Sequence, residues 1–513
     1  MPVAVASVLP FLAKPPSVDE ESYLWIAARL DPLRPYDWTR IWQPFDADAF
    51  VFAHPPLFLW WMALFQGLQE QLWLHRALAG LPFVALYAWS VARLAARCCQ
   101  HPHLAAVAWI TSATVLLGLQ NTLMIDLPVA ALMTFAVAAY REGLEGNRRW
   151  FPVSGVALGL ACATKYPALG LFLVLCGHMA RQGWRWEVWA LAGGIAVAVE
   201  GFLAATYGRL HLWEVWSRRS EIAAGPLDGR WAGTLVRLAL LPMSLAVARA
   251  SPVLAMGAVG LAFASLAWLR PAEIDATDVG VLVVFAILGA LALARGVAAC
   301  FAPHDRRRKG DHDDALLLGA WVVVTVLGVV LVHRYASARY LLPASAPLAI
   351  LVTRSAEEVP GGKALLKIGA TIAGTIAVAV CGADFRFARA SVQVAEAADR
   401  LVRDEGGVPG RFAGEWGFRY AMERAGWTRY RPDEPLPSGT WVAVADHSSP
   451  GAVDRNRLEP MRRLESDDRF PVRVVDAAAG IGLYAETLGV LPLGVGEGPL
   501  EGVTLHVVKP ETP

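Results

Sequence analysis

Long apolar runs recur over the first three quarters of the chain, separated by short polar turns, and stop near Asp384. Runs of this kind read as membrane-spanning helices, because in hydrocarbon only a helix satisfies its own backbone donors and acceptors. The pattern predicts roughly thirteen spans, near residues 1–13, 72–92, 104–119, 126–140, 151–164, 166–180, 186–206, 233–248, 252–269, 278–295, 315–332, 340–354 and 365–382. Several are short for a crossing and need tilt or local thinning. The first, Met1–Ala13, lacks a basic leader region and reads as a first helix clipped at its start. Pro56–Leu68 reads as a helix lying at the interface, with Trp60 and Trp61 at headgroup depth.

Beyond Asp384 charges, glycines and prolines become frequent. "RASVQVAEAADRLVRDEG" and "FRYAMERAG" read as amphipathic helices, and "TWVAVA", "FPVRVVDAAA" and "VTLHVVKP" as strands. The fold class is therefore mainly α: a polytopic helical bundle over 1–383, with a first external loop at 14–71, and a small soluble α/β domain over 384–513. "GEWGFRYAMERAGWTRY" alternates aromatics with charge, as a sugar-gripping surface or a packed amphipathic helix would. No tandem repeat or inverted symmetry is evident.

Composition sharpens this picture. Hydrophobic residues make up 56% of 513 and charged residues 18%, with a mean hydropathy of +0.42, which places the chain among integral membrane proteins. A net charge of +1 excludes nucleic acid as a partner, since duplex binding needs a basic surface. The six cysteines lie in or beside apolar segments, so neither a disulfide framework nor a cysteine metal site is expected. With a cytoplasmic N-terminus, the positive-inside rule is met by Arg93 and Arg97, by Arg141, Arg148 and Arg149, by Arg181 and Arg185, and by Arg306–Lys309. Loop 207–232 breaks it, with Arg209, Arg218, Arg219 and Arg230 outside.

A charge in hydrocarbon is expensive, so ionisable residues at span ends are functional candidates. On the external side stand Asp19 and Glu20, His54 before Pro55-Pro56, Asp126 in "NTLMIDLPVAALM", Lys165 in "ACATKYPALG", and His333, Arg334, Arg339 and Tyr340 in "HRYASARYLLPASAP". Each has a structural alternative. Ser17-x-x-Glu20 matches a capping box, and Asp126 with Pro128 resembles a helix cap. Lys165 can snorkel, Arg334 and Arg339 can anchor at the interface, and His54-Pro55-Pro56 can be a rigid turn. Glu200, inside a span, can pair with an arginine. Taken together, the acids can accept a proton from an attacking hydroxyl or amine, and the cations can hold a phosphate leaving group. That chemistry favours transfer from a lipid-phosphate donor.

The acidic pair Asp19-Glu20, the His54-Pro55-Pro56 loop end, Asp126-x-Pro128, "GLACATKYP" and "RYLLPASAP" together resemble the GT-C superfamily of membrane glycosyltransferases. The nearest branch is the family 39-like group of protein O-mannosyltransferases and lipid-A aminoarabinose transferases. The resemblance covers about residues 15–350, with the motif order kept. It implies about a dozen helices, a partly helical first loop, a polyprenyl-phosphate-linked sugar donor and inversion at the sugar carbon. By position, Asp19 matches the acid that activates the acceptor, and Asp126 matches a second site acid. Lys165, Arg339 and Tyr340 match positions near the lipid-phosphate pocket, where His54 and Arg334 are further candidates. This chain departs from the aminoarabinose transferases at His54 and Ser22, where they carry lysine and arginine. Both changes remove fixed positive charge and leave the sugar donor open.

The expected protein is a multi-pass enzyme of the inner (plasma) membrane with its site on the extracytoplasmic face of the cell envelope. It binds the bilayer, a polyprenyl-phosphate sugar and an acceptor that is lipid, glycan or protein. A transporter of polyprenyl-linked lipids or solutes is the alternative; transporters usually show repeats and broken helices at the midplane. No cofactor is required, although Glu20, His54 and His333 are candidate ligands for a divalent metal.

Overall fold

The computed structural model describes residues 1–36, 54–68, 70–217, 227–241, 276–300, 311–332, 336–476, 479–483 and 488–510. The chain divides into two compact units, Met1–Leu12 with Ile26–Val378, and Ala13–Trp25 with Ala379–Pro513.

The first unit is helical. Its elements are α1 (Pro2–Val8), α3 (Leu57–Ala63), α4 (Leu72–Cys98), α5 (Pro102–Ile110), α6 (Ala113–Gln120), α7 (Asp126–Leu144), α8 (Trp150–Cys162), α9 (Ala168–Gln182), α10 (Trp186–Tyr207), α11 (His211–Ser217), α12 (Leu227–Leu238), α13 (Ala276–Cys300), α14 (Asp311–Val332) and α15 (Leu342–Glu357). Two further helices, α2 (Glu20–Arg29) and α16 (Gly362–Asp404), contribute residues to both units. Among the described residues, five helices are long and apolar enough to cross a membrane, or six if the bent pair α5–α6 is one span. This is fewer than the thirteen expected spans. At 13 and 15 residues α8 and α9 are short for a crossing, and 252–269 lies outside the described residues.

The expected span at 104–119 is broken by 69° between α5 and α6. Ser112 caps α6 by accepting the Val115 N–H, and its hydroxyl donates to the Leu240 carbonyl at 2.9 Å. The break is thereby closed by the protein itself. The expected interfacial helix at 56–68 is only seven residues long, and its Trp61 indole donates to the Ala79 carbonyl at 2.9 Å. At one end of the bundle the basic residues expected inside pair with acids: Arg97 with Glu142 and Glu145, Arg141 with Asp314, and Arg181 with Asp313. Asp126 begins the same helix that carries Arg141, roughly 22 Å away along its axis.

Gly80 fixes the loop that leads into Asp126. A Cβ on Gly80 would lie 2.2 Å from the Thr122 Cβ, so α4 and that loop meet only through glycine. Gly80→Ala is expected to cost about 1–3 kcal/mol by overpacking, read as a lower thermal midpoint in detergent. Thr122→Gly in the same chain should restore it.

The second unit contains a five-stranded sheet in the order β2 (Thr428–Arg429), β1 (Arg411–Ala413), β3 (Trp441–Ala445), β9 (Gly502–Val508), β4 (Leu458–Glu465). β1 is parallel to β2 and β3, whereas β9 is antiparallel to β3 and β4. Alternate residues face opposite layers. Phe412, Ala443, Ala445, Val503 and Leu505 pack with Val394, Ala398 and Val402 of α16 and with Phe418 and Met422 of α17 (Trp416–Arg424). Val442, Val444, Leu458 and Val508 form the other layer. The stretch 470–479, expected as one strand, holds two two-residue strands, β5 (Val472–Arg473) and β6 (Val475–Asp476). β4 was not expected. It is a polar edge strand with a register shift at Pro460–Arg462, as edge strands favour.

Candidate functional site

In the first unit the candidate residues converge on Asp126. This residue opens α7, where the positive end of the helix dipole favours an anion. Lys165 sits in the turn after α8, held by its own N–H to the Ala161 carbonyl at 2.9 Å, and Pro167 closes that turn before α9. Its Nζ lies 2.5 Å from Asp126 Oδ1, with both side chains about 5% exposed. Arg339 comes from a 3-10 turn, Ala338–Leu341, ahead of α15, and its Nε lies 3.9 Å from Asp126 Oδ2. The Tyr340 ring lies under both cations, 4.7 Å from Lys165 Nζ and 5.1 Å from Arg339 Cζ. Its hydroxyl accepts from Arg339 Nη2 at 3.2 Å. His54 is within electrostatic reach of Asp126, and the turn that follows it is tied to the Lys165 turn by Leu57 N–H donating to the Ala163 carbonyl at 3.4 Å. Arg334 and His333 lie outside the described residues.

A second polar group adjoins this one through Tyr166. Its hydroxyl donates to Glu200 and also contacts His211 Nδ1. The Tyr36 ring stacks on His211 at 5.2 Å, and the Tyr36 hydroxyl donates to the His54 carbonyl. Glu200 therefore pairs with a tyrosine and with the Leu212 N–H at 3.1 Å, where the sequence suggested an arginine. A tyrosine beside a lysine carries no charge signature, so Tyr166 and His211 were missed.

Asp19 and Glu20 belong to the second unit. Glu20 is fully buried at the start of α2, and its carboxylate accepts the Ser17 N–H at 3.3 Å. That bond is one half of the capping box suggested by the sequence, and it gives Glu20 a structural role. Asp19 follows Val18, which has φ of +53°, a strained conformation for a β-branched residue that costs on the order of 1–3 kcal/mol. The Asp19 carbonyl accepts the Tyr23 N–H at 3.1 Å.

Glu21, the third carboxylate of the run, is buried 3.9 Å from Arg419 Nη1. Arg419 also reaches Glu423 at 2.8 Å and Glu415 at 3.5 Å. Burial pushes the Glu21 carboxyl up to about 8, against the pull of Arg419 and with a further push from the Asp19 charge. Between the usual carboxylate range and about 8, the folded chain holds a proton that the unfolded chain has lost. Stability is therefore greatest at acid pH and falls as pH rises through about 8. Glu21→Gln is expected to flatten the thermal midpoint between about pH 5 and pH 8; an unchanged slope would sink that assignment. Around Arg419, the run 414–430 is a packed amphipathic helix and strand, with Trp416, Phe418, Met422 and Trp427 buried rather than displayed for sugar.

Among the described residues, no three His, Cys, Asp or Glu side chains gather as a metal site. No family model matches the chain, and no curated protein does. The chain is similar to the crystal structure of ArnT from Cupriavidus metallidurans in the apo state, at 15% identity and a TM-score of 0.41, over 86% of this chain and 91% of that one. It is also similar to ArnT from the same organism bound to undecaprenyl phosphate, at 16% identity and a TM-score of 0.46, over 83% of this chain and 73% of that one.

Proposed function

We propose that this protein is an integral membrane glycosyltransferase that moves a sugar from a polyprenyl-phosphate donor to a lipid, glycan or protein acceptor at the extracytoplasmic face. The observation that carries this reading is the group formed by buried Asp126 and Lys165 with half-buried Arg339 and Tyr340, which gathers residues from three separate motifs around one carboxylate. A buried lysine beside a half-buried arginine suits a phosphate leaving group. The motif resemblance to the GT-C superfamily supports the same chemistry.

In this reading Asp19 takes the proton from the acceptor hydroxyl or amine as that atom bonds to the sugar carbon. The bond from that carbon to the phosphate oxygen breaks, the electron pair leaves with the phosphate, and the configuration inverts. Lys165 and Arg339 stabilise the departing charge, His54 and Arg334 stand as further donor contacts, and Asp126 holds the two described cations in place.

The test is purified protein in liposomes with undecaprenyl-phosphate mannose, glucose and aminoarabinose, each radiolabelled in the sugar, plus envelope extract as acceptor. Transfer or hydrolysis from one donor supports the reading. It falls if no donor reacts and if mass spectra of envelope lipids, glycans and proteins are identical with and without the protein.

A further inference from the structure

The acid-bearing segment 13–25 is built into the same compact unit as the C-terminal sheet, and three contacts hold it there. Ahead of Asp19, Lys14 Nζ lies 2.6 Å from Asp384 Oδ2, with both side chains buried. At Pro16 the backbone runs against α17: a Cβ on Gly417 would meet the Pro16 carbonyl oxygen at 3.0 Å and that of Ala388 at 3.3 Å. After Asp19, Glu21 lies 3.9 Å from Arg419, whose side chain is 2% exposed. Between the outer two contacts sits Val18 at φ +53°. A strained β-branched residue keeps such a conformation only where its surroundings over-determine it. Asp19 itself is bound into the start of α2, its carbonyl accepting the Tyr23 N–H at 3.1 Å, and its charge bears on Glu21 and Glu415.

We infer that Arg419 and Gly417 are positioning residues for the Asp19 carboxylate: the C-terminal unit sets the direction in which the reactive acid points. The inference rests on the proposed function, in which Asp19 is the base. Arg419 lies 3.9 Å from Glu21, two residues past Asp19, and acts on the acid through the segment that carries it.

The experiment compares Arg419→Met, Arg419→Lys, Gly417→Ala and Asp19→Asn, singly and as Asp19→Asn/Arg419→Met, in the liposome assay with the three labelled undecaprenyl-phosphate sugars. A displacement of about 1 Å at a reacting group costs on the order of 10²-fold, so Arg419→Met is expected to lower kcat by roughly that factor with donor KM nearly unchanged. Gly417→Ala should lower kcat in the same way, and Arg419→Lys should recover part of the loss. In the Asp19→Asn background, Arg419→Met should add nothing, because residues that act as one unit are non-additive. Val18→Gly, which relieves the strained turn, should restore part of the activity of Arg419→Met. If Asp19→Asn is inactive while Arg419→Met keeps wild-type kcat, or lowers it further in the double variant, the positioning role alone is overturned. If Asp19→Asn is fully active, the base assignment and the positioning role fall together. Thermal midpoints in detergent identify variants that have lost the fold, and Arg419→Lys then carries the comparison.

Discussion

Asp19→Asn is expected to lower kcat for the proposed sugar transfer by about 10²–10⁴-fold, the usual contribution of a positioned general base. The substitution keeps the size of the side chain and leaves the Asp19 carbonyl free to accept the Tyr23 N–H. In the proposed mechanism it removes the capacity to take a proton as the acceptor attacks, together with the charge that bears on Glu21 and Glu415. Expression and thermal midpoint are therefore expected to stay near wild type, and donor KM should change little, because the amide still fills the same space. The neighbouring carboxylates cannot substitute. Glu20 is fully buried, with its carboxylate accepting the Ser17 N–H, and Glu21 is buried and held up to about 8, so near neutral pH it mostly carries the proton it would need to accept. The liposome assay reads the outcome directly. Transfer at the wild-type rate in this variant would remove Asp19 from the chemistry.

Physical cost decided which features could be read from sequence. Asp126, Lys165, Arg339 and Tyr340 stood out because ionisable groups beside apolar runs are expensive, and the fold gathers them, with Lys165 and Arg339 paired to Asp126 and Tyr340 under both cations. Pairing partners were less visible. Glu200 was conspicuous as an acid within a span, but its contacts, Tyr166 and His211, are set by helix ends that sequence periodicity does not align. Arg419 and Glu21 lie at opposite ends of the chain, and nothing local marks them as neighbours. The long helix α16 was divided at Asp384 because hydropathy changes there, while the backbone continues as one helix from Gly362 to Asp404. The polar edge strand β4 escaped for the opposite reason, since its exposed residues carry no alternation to detect. The bend between α5 and α6 was signalled only by Thr111-Ser112, a pair that apolar averaging hides.

Lys165→Met tests whether the buried pair serves stability alone or also the proposed donor binding. Removing one partner of a buried ion pair leaves the other uncompensated and costs about 3–5 kcal/mol. Arg339, 3.9 Å from Asp126, remains to share that carboxylate, so the loss should fall at the lower end of this range. Lys165→Met/Asp126→Leu replaces the pair by apolar side chains and is expected to recover part of the thermal midpoint, as buried pairs exchanged for hydrophobic residues often do; the recovery is partial because Arg339 loses the Asp126 carboxylate as well. Donor binding should not recover with it. A charge-assisted hydrogen bond to a phosphate contributes about 1.5–3 kcal/mol, so affinity for undecaprenyl phosphate should fall by about 10–100-fold in both variants. A purely structural pair would behave differently: the double variant would regain stability and binding together. Titration of undecaprenyl phosphate against wild type, Lys165→Met and the double variant in detergent distinguishes these outcomes. Wild-type affinity in the stable double variant would take Lys165 out of the phosphate site.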